Sequence, residues 1–410
     1  RYLTWIGYDV TFVRNVTDID DKIIIRADEL GLTTDEVAEV AFAEFTHAYD
    51  KLGNLRPTIE PKATDNIGAM ISIIETLIER GIAYESDGDV YFAVRSFDGY
   101  GKLSRHDLDD LRSGERIEAD PRKRDQLDFA MWKAAKPGEP NWPSPWGPGR
   151  PGWHIECSAM AAEFLGPAFD IHGGGTDLIF PHHENEIAQS EAATDEPFAR
   201  YWMHNGMLNL SGEKMAKSTG HVVTLLESLD RWDPLAIRLF YLRTHYRKPL
   251  EFSADALADA EASLGRLRAF RRRAPTHIES PSDPASLEAF RGAMDNDLDA
   301  AGALGVVFDL VRSANALMDQ GEDVEPLVGA FDEMMQVLGL DENPEDVPVD
   351  VSRIGVAYGL EDASIEDLLD LRIEARAEKD WARSDAIRDE LASVGIVIED
   401  TADGTRWHRD

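Results

Sequence analysis

The spacing of apolar and polar positions divides the chain into short elements with clear punctuation. Over 9–16, DVTFVRNV reads as a strand ending at a turn. TDIDDKIIIRADELG (17–31) then reads as a helix, with Thr17 as candidate N-cap and Gly31 at its end. A second helix lies in TTDEVAEVAFAEFTHAYDKLG. Thr33 and Glu36 have the spacing of a capping box, and Val37, Ala41, Phe45, Ala48 and Leu52 recur at helical intervals. A third helix spans 64–80, with Ile67, Ile71, Ile74 and Ile78 on one side and Gly81 as its stop.

IAYESDGDVYFAV predicts a hairpin around Asp87-Gly88, and a Pro/Gly/Trp-rich connector occupies 135–152. This pattern marks an inserted unit that returns to a main domain. FDIHGGGTDLIF (169–180) is an apolar strand, a glycine turn and a new element. That order suits the carboxyl edge of a parallel sheet, where α/β proteins bind ligands. From 223 to 340 the pattern is mostly helical, broken by a linker at 275–286. A second linker at 341–352 precedes a small unit of two helices and a hairpin turning at Asp403-Gly404.

A chain of 410 residues buries sizeable cores and divides into several domains. It has no run of 18 apolar residues, so no membrane span is expected. One cysteine excludes an internal disulfide framework and makes the cytoplasm the default setting. Cys157 is then a free thiol, a packing residue or a metal ligand, and packing is favoured for it taken alone.

The net charge is −36, and only 11 of the 42 basic residues are lysines. This argues against broad attraction to nucleic acid or an anionic membrane, though not against a local basic groove. The acids are spread along the chain, which favours a surface adapted to high salt over an acidic tail.

His182 and Glu186 are four residues apart and share a helix face, with Cys157 24 intervening residues upstream. Thiolate, imidazole and carboxylate are all normal zinc ligands. Spacing alone leaves two alternatives of equal weight, a zinc site and a solvated helix start. An H-E-x-x-H protease would need histidine at 187, which is isoleucine. HGGGTD (172–177) allows close approach of backbone to a ligand, but a tight turn explains it as well. SGEKMAKSTG (211–220) places two lysines three apart in a small-residue loop. In a lysine-poor chain, polyphosphate binding is favoured there over incidental charge.

FVRNVTDIDDKI, DFAMWK, GWHIECSAM, FDIHGGGTDLIFPHHENEIAQS, HNGML, KMAKS and HYRKPLEFS occur in the order found in cysteinyl-tRNA synthetases, and the chain resembles that class I family over nearly its whole length. ARAEKDWARSDAIRDEL, GIVIED and GTRW resemble its anticodon-binding end. The resemblance implies a Rossmann-type α/β catalytic domain split by an insertion, then a helical bundle and a small mixed α/β anticodon domain. The expected boundaries are 1–62 with 151–210 for the catalytic domain and 63–150 for the insertion. The KMSKS-loop junction takes 211–252, the bundle 253–345 and the anticodon domain 353–410.

The implied reaction forms cysteinyl adenylate from cysteine and ATP, with magnesium, and passes the cysteinyl group to tRNA-Cys. A monomer is expected. By position, Cys157, His182 and Glu186 match three of the family's four zinc ligands. Thr17, Trp153 and His172 match positions around cysteine. Gly174, Gly175, Asp177, His204 and Met207 match the adenosine site. Lys214 and Lys217 fall in the catalytic signature loop, with Ala216 in place of its usual serine, and Lys217 also faces ATP. Arg376, Trp381, Asp385 and Asp400 match anticodon-reading positions.

No HIGH motif and no second cysteine occur in the sequence. Both belong to a first strand–turn–helix in the family, so an N-terminal truncation is expected, which leaves the activity of the polypeptide as written an open point. Two rivals follow. One is the related ligase joining cysteine to a sugar amine in mycothiol synthesis, which needs no anticodon reader. The other is a non-catalytic paralogue that binds tRNA or a partner.

Overall fold

The computed structural model describes residues 1–106, 120–210, 224–341, 365–377, 380–393, 396–401 and 404–409. The chain forms two compact units, Arg1–Asp341 and Glu342–Asp410.

In the first unit, residues 9–16 run extended but pair only through bridges, Val13 to Ile59 and Val16 to Lys62, both parallel. The expected strand is thus reduced to isolated pairings. The next helix starts later than Thr17 suggests. After the short helix α1 (Tyr2–Trp5), helix α2 spans Asp21–Leu30, and its N-cap is Asp20, whose side chain accepts from the Lys22 N–H. Aspartate caps as well as threonine does, and this leaves Thr17 outside the helix. Helix α3 (Thr34–Lys51) has the capping box of Thr33 and Glu36. Of its apolar stripe only Ala48 and Leu52 are buried, whereas Ala41 and Phe45 stay exposed.

A single turn over Thr64–Asn66 leads into α4 (Ile67–Glu79). Its core face is Ile67, Met70, Ile74 and Leu77, rotated from the expected isoleucine row so that Ile71 and Ile78 are only partly buried. The hairpin forms as expected from β1 (Ala83–Ser86) and β2 (Asp89–Phe92), with Ser86 opposite Asp89. Asp87 and Gly88 both adopt positive φ, 54° and 83°, as a two-residue turn with the strand twist requires. β3 (Phe129–Ala134) and β4 (Gly149–Pro151) extend this antiparallel sheet in the order β1-β2-β3-β4. Its inner face joins α4 in one core containing Met70, Leu77, Phe92 and Trp132.

Helix α5 (Trp153–Leu165) packs on α4 and on α6 (Glu184–Thr194). Between α5 and α6 runs β5 (Phe169–Gly175), parallel to β6 (Ala199–Asn205), with Gly174 opposite His204. A second parallel pair joins β7 (Leu208–Leu210) to β8 (Leu250–Phe252). The carboxyl end of β5 therefore opens directly onto the metal-type residues of α6.

Helices α7 (Leu225–Leu229), α8 (Pro234–Leu242), α9 (Ala254–Arg273), α10 (Pro284–Asp295), α11 (Ala300–Gln320) and α12 (Glu325–Leu338) complete the unit. α11 has the length and hydropathy of a membrane span. Ala303, Leu304, Val307, Leu310, Val311 and Ala314 instead pack in the bundle core with Phe270, Phe290 and Phe331. The second unit contains α13 (Ile365–Ala377), α14 (Trp381–Ser393) and an antiparallel pair, β9 (Ile396–Thr401) and β10 (Gly404–Arg409). Thr401 pairs with Gly404, and Asp403 of the expected turn lies outside the described residues.

Candidate metal and nucleotide centre

By composition ENEIAQSEAAT is a polar helix, yet α6 is buried along most of its length. Several of its buried polar groups have identifiable partners. The Glu184 carboxylate accepts from the backbone N–H groups of Gly101, Leu103 and Ser104 at 2.9, 3.2 and 2.8 Å. Asn185 accepts from the Tyr100 hydroxyl at 2.5 Å, and Gln189 from Ser158 at 2.7 Å. Burying such groups is tolerable only when they are partnered. The arrangement clamps the 97–106 loop of the inserted sheet onto the helix.

Among the described residues, the Gln189 amide nitrogen and the Ser190 hydroxyl have no hydrogen-bond partner, and Glu186 is the one charged group so placed on this helix. It is wholly buried, and neither carboxylate oxygen accepts a well-aligned hydrogen bond. Two imidazoles approach it, His182 Nε2 at 2.6 Å from Oε1 and His172 Nε2 at 2.9 Å from Oε2. His182 precedes α6 in a wide turn over Ile179–His183 whose Phe180 is extended (φ −137°, ψ 133°). Cys157, one turn into α5, completes a group whose ligand atoms lie within 4.8 Å of one another. His172, His183 and Glu186 form a second such group. A solvated helix start, the alternative left open by spacing, does not fit side chains that are 4% and 0% exposed.

The electrostatics oppose a bare thiolate. Burial pushes the Cys157 thiol up, and Glu186 and Glu156 add to the effect. Burial also pushes the Glu186 carboxyl up, but His172 and His182 more than offset this and hold it below the usual carboxylate range. Burial lowers His154 and His183 to about 3, so both rings stay neutral. An anionic sulfur beside an anionic carboxylate requires a cation between them. Donor set, convergence and unsatisfied oxygens together fit a zinc ion.

The positions expected to border the cysteine substrate lie near this group. The Trp153 indole lies 4.1 Å from the His182 ring, centroid to centroid, and is 43% exposed. Thr17 lies beside Asn15, whose amide nitrogen is 3.5 Å from the Cys157 sulfur. Among the positions expected at the adenosine site, Gly174 stands near the end of β5, where an added Cβ would be 2.8 Å from the His183 ring. A side chain there is excluded by contact. His204 is buried and shares a 2.8 Å nitrogen–nitrogen contact with His183. Asp177 and Met207 are exposed, and Gly175 packs against the Asp177 side chain. Lys214 and Lys217 lie outside the described residues.

In the second unit the Arg376 guanidinium is 5.9 Å from the Trp381 ring, which is 56% exposed. Asp385 pairs with Arg388 at 3.2 Å, and Asp400 lies on β9 opposite Thr405.

Sequence reasoning missed three contributors. His154 Nδ1 is 2.8 Å from His182 Nδ1, on the side of the ring away from Glu186. His183 bridges toward His204, and Glu184 holds the loop. The adjacency of His154 to Trp153 and of His183 to His182 was the available signal, but neither predicts a contact.

Three family descriptions match the chain: tRNA synthetases class I (C) catalytic domain over 1–262, the DALR domain over 289–342, and the cysteinyl-tRNA ligase anticodon binding domain over 361–407. A cysteine–tRNA ligase of Syntrophotalea carbinolica is 47% identical over 99% of this chain and 89% of that protein. One of Alkalilimnicola ehrlichii is 52% identical over 100% of this chain and 89% of its own length. Among solved structures, a Mycobacterium tuberculosis methionyl-tRNA synthetase bound by methionyl-adenylate is similar with a TM-score of 0.58 at 16% identity, covering 82% of this chain and 83% of its own. At that identity the likeness concerns the fold alone.

Proposed function

The chain belongs to the cysteine–tRNA ligase family of class I aminoacyl-tRNA synthetases, and on that premise we propose that Cys157, His182 and Glu186 hold a zinc ion that marks the cysteine subsite. The observation carrying this is Glu186, a fully buried carboxylate with no aligned hydrogen bond, facing a thiol and an imidazole. A zinc ion there supplies preference for a thiolate over a hydroxyl, which an ordinary pocket separates poorly.

The chain's own residues do the rest. Trp153 offers a partly exposed aromatic ring beside His182, and Thr17 and His172 border the same space. Gly174 and Gly175 let the backbone approach adenosine, with Asp177 for the ribose and the strand from His204 to Met207 along the base. Lys214 and Lys217 neutralise the phosphates of magnesium-bound ATP as the adenylate forms. Arg376, Trp381, Asp385 and Asp400 read the anticodon of tRNA-Cys. A cysteine–sugar-amine ligase would have no use for the anticodon-binding match at 361–407.

The test is cysteine-dependent pyrophosphate exchange with zinc analysis on the same protein. Exchange with cysteine but not serine, at one zinc per chain, is the expected result. Equal exchange with both amino acids, or activity in zinc-free protein, would refute the reading.

A further inference from the structure

The turn between α10 and α11 carries a carboxylate that leaves its own bundle. Asp297 adopts a left-handed conformation, φ 58°, as does Leu298 at 53°. Non-glycine residues hold such a conformation in succession only where the surroundings fix it. The Asp297 side chain points to three consecutive residues of the segment before β8. Its Oδ1 accepts from the Tyr246 hydroxyl and from Arg247 Nη2, both at 2.8 Å. Its Oδ2 accepts from Arg247 Nε, and His245 Nε2 lies 3.6 Å away. The two-point bond to Arg247 fixes direction as well as distance.

The held segment is itself pressed against the nucleotide strand. The Tyr246 carbonyl accepts from the Gly206 N–H at 2.7 Å, and the Met207 carbonyl accepts from Leu250 N–H at 2.9 Å. A Cβ on Gly206 would lie 2.3 Å from the Lys248 carbonyl carbon, so the two backbones touch with no room for a side chain. His204 through Met207 are thus laid on a wall whose position Asp297 sets from the bundle.

We infer that Asp297 is a positioning residue for the nucleotide: through Tyr246 and Arg247 it fixes the Gly206–Met207 backbone at the spacing adenosine needs. This rests on the reading of His204 to Met207 as the adenosine contact. Asp297 touches no substrate, so its loss loosens ATP binding and leaves the cysteine pocket in place.

The experiment measures ATP affinity by calorimetry, and KM for ATP and for cysteine in pyrophosphate exchange, on the parent chain, Asp297→Ala, Asp297→Asn and Arg247→Gln. Asp297→Ala should raise Kd and KM for ATP about fivefold, a modest coupling energy, with KM for cysteine and zinc content unchanged. Asn tolerates the left-handed region and keeps an acceptor oxygen, so Asp297→Asn should restore most of the loss. Arg247→Gln breaks the contact from the other side and should match the alanine variant, which decides the matter if Asp297→Ala does not fold. Unchanged ATP affinity in a folded Asp297→Ala or in Arg247→Gln would overturn the inference while leaving the nucleotide reading intact. A parent chain that binds no ATP would overturn both.

Discussion

His182 Nε2 lies 2.6 Å from Glu186 Oε1, four residues along the chain, and both side chains are shut away from water. The pair is too buried to be a helix cap, and its histidine is gripped on the other side by His154.

That grip predicts graded metal affinities. Cys157→Ser should lose zinc, because a serine hydroxyl is a poor zinc ligand at neutral pH. His154→Ala keeps all three ligands but frees the His182 ring, and should weaken zinc about 10–100-fold, as loss of an outer partner does. Chelator competition on the purified chain measures both. Parent-like affinity in His154→Ala would mean that the His154 contact does not orient the ligand.

Asp21 predicts a pH dependence of stability. At the start of α2 it pairs with Lys133 at 2.8 Å and with the buried Arg150, joining the helix to the inserted sheet. Partial burial pushes its carboxyl up, but Lys133 and Arg150 outweigh this and hold it below the usual range. A depressed folded pKa means that the contribution is present above the unfolded value near 3.8 and is lost as pH falls below it. Asp21 is half-exposed, so Asp21→Asn should cost about 0.5–1 kcal/mol at pH 7. Urea unfolding from neutral to acid pH should show the gap between variant and parent closing below the ordinary carboxylate range. A gap that stays constant would place the effect in something other than charge.

The proposed anticodon role of Trp381 predicts an effect on tRNA binding. The residue begins α14 more than half exposed, beside Arg376, and so is not a core aromatic. An exposed aromatic ring can stack on a base, at about 1–3 kcal/mol. Trp381→Ala should therefore raise the Kd for tRNA-Cys about tenfold, near the lower end of that range. Cysteine-dependent pyrophosphate exchange and Tm should stay at parent values. Loss of exchange in a folded variant would contradict a role confined to the anticodon.

The charge of −36 predicts a salt requirement. Self-repulsion among dispersed acids weakens as the Debye length falls from about 10 Å at 0.1 M to about 3 Å at 1 M. Thermal melts across that series should show Tm rising. A Tm that is flat or falls with added salt would refute the adaptation reading.

Local chemistry was legible where it is self-contained. The Thr33–Glu36 capping box and the Asp87-Gly88 hairpin involve residues a few positions apart, and both form as expected. The rotation of α4 was not legible, since Ile67, Met70, Ile74 and Leu77 fit a helical period as well as the all-isoleucine row does, and only the sheet packed against it chooses between them. Likewise Asp20 and Thr17 are both good caps, and in the fold it is Asp20 whose side chain accepts from the Lys22 N–H.

The sequence by itself determined the candidate ligand types, the i,i+4 spacing of His182 and Glu186 and the order of motifs that identifies the family, because each is carried by residue identity and short-range geometry. The tertiary structure alone decided that Cys157 meets those two across 24 intervening residues, and that polar α6 is a core helix. It also decided that His154 backs His182 and that Asp297 reaches the segment beside β6. Those facts depend on which surfaces the chain brings together. A periodic pattern records that a face is polar, but not whether water or a buried partner satisfies it.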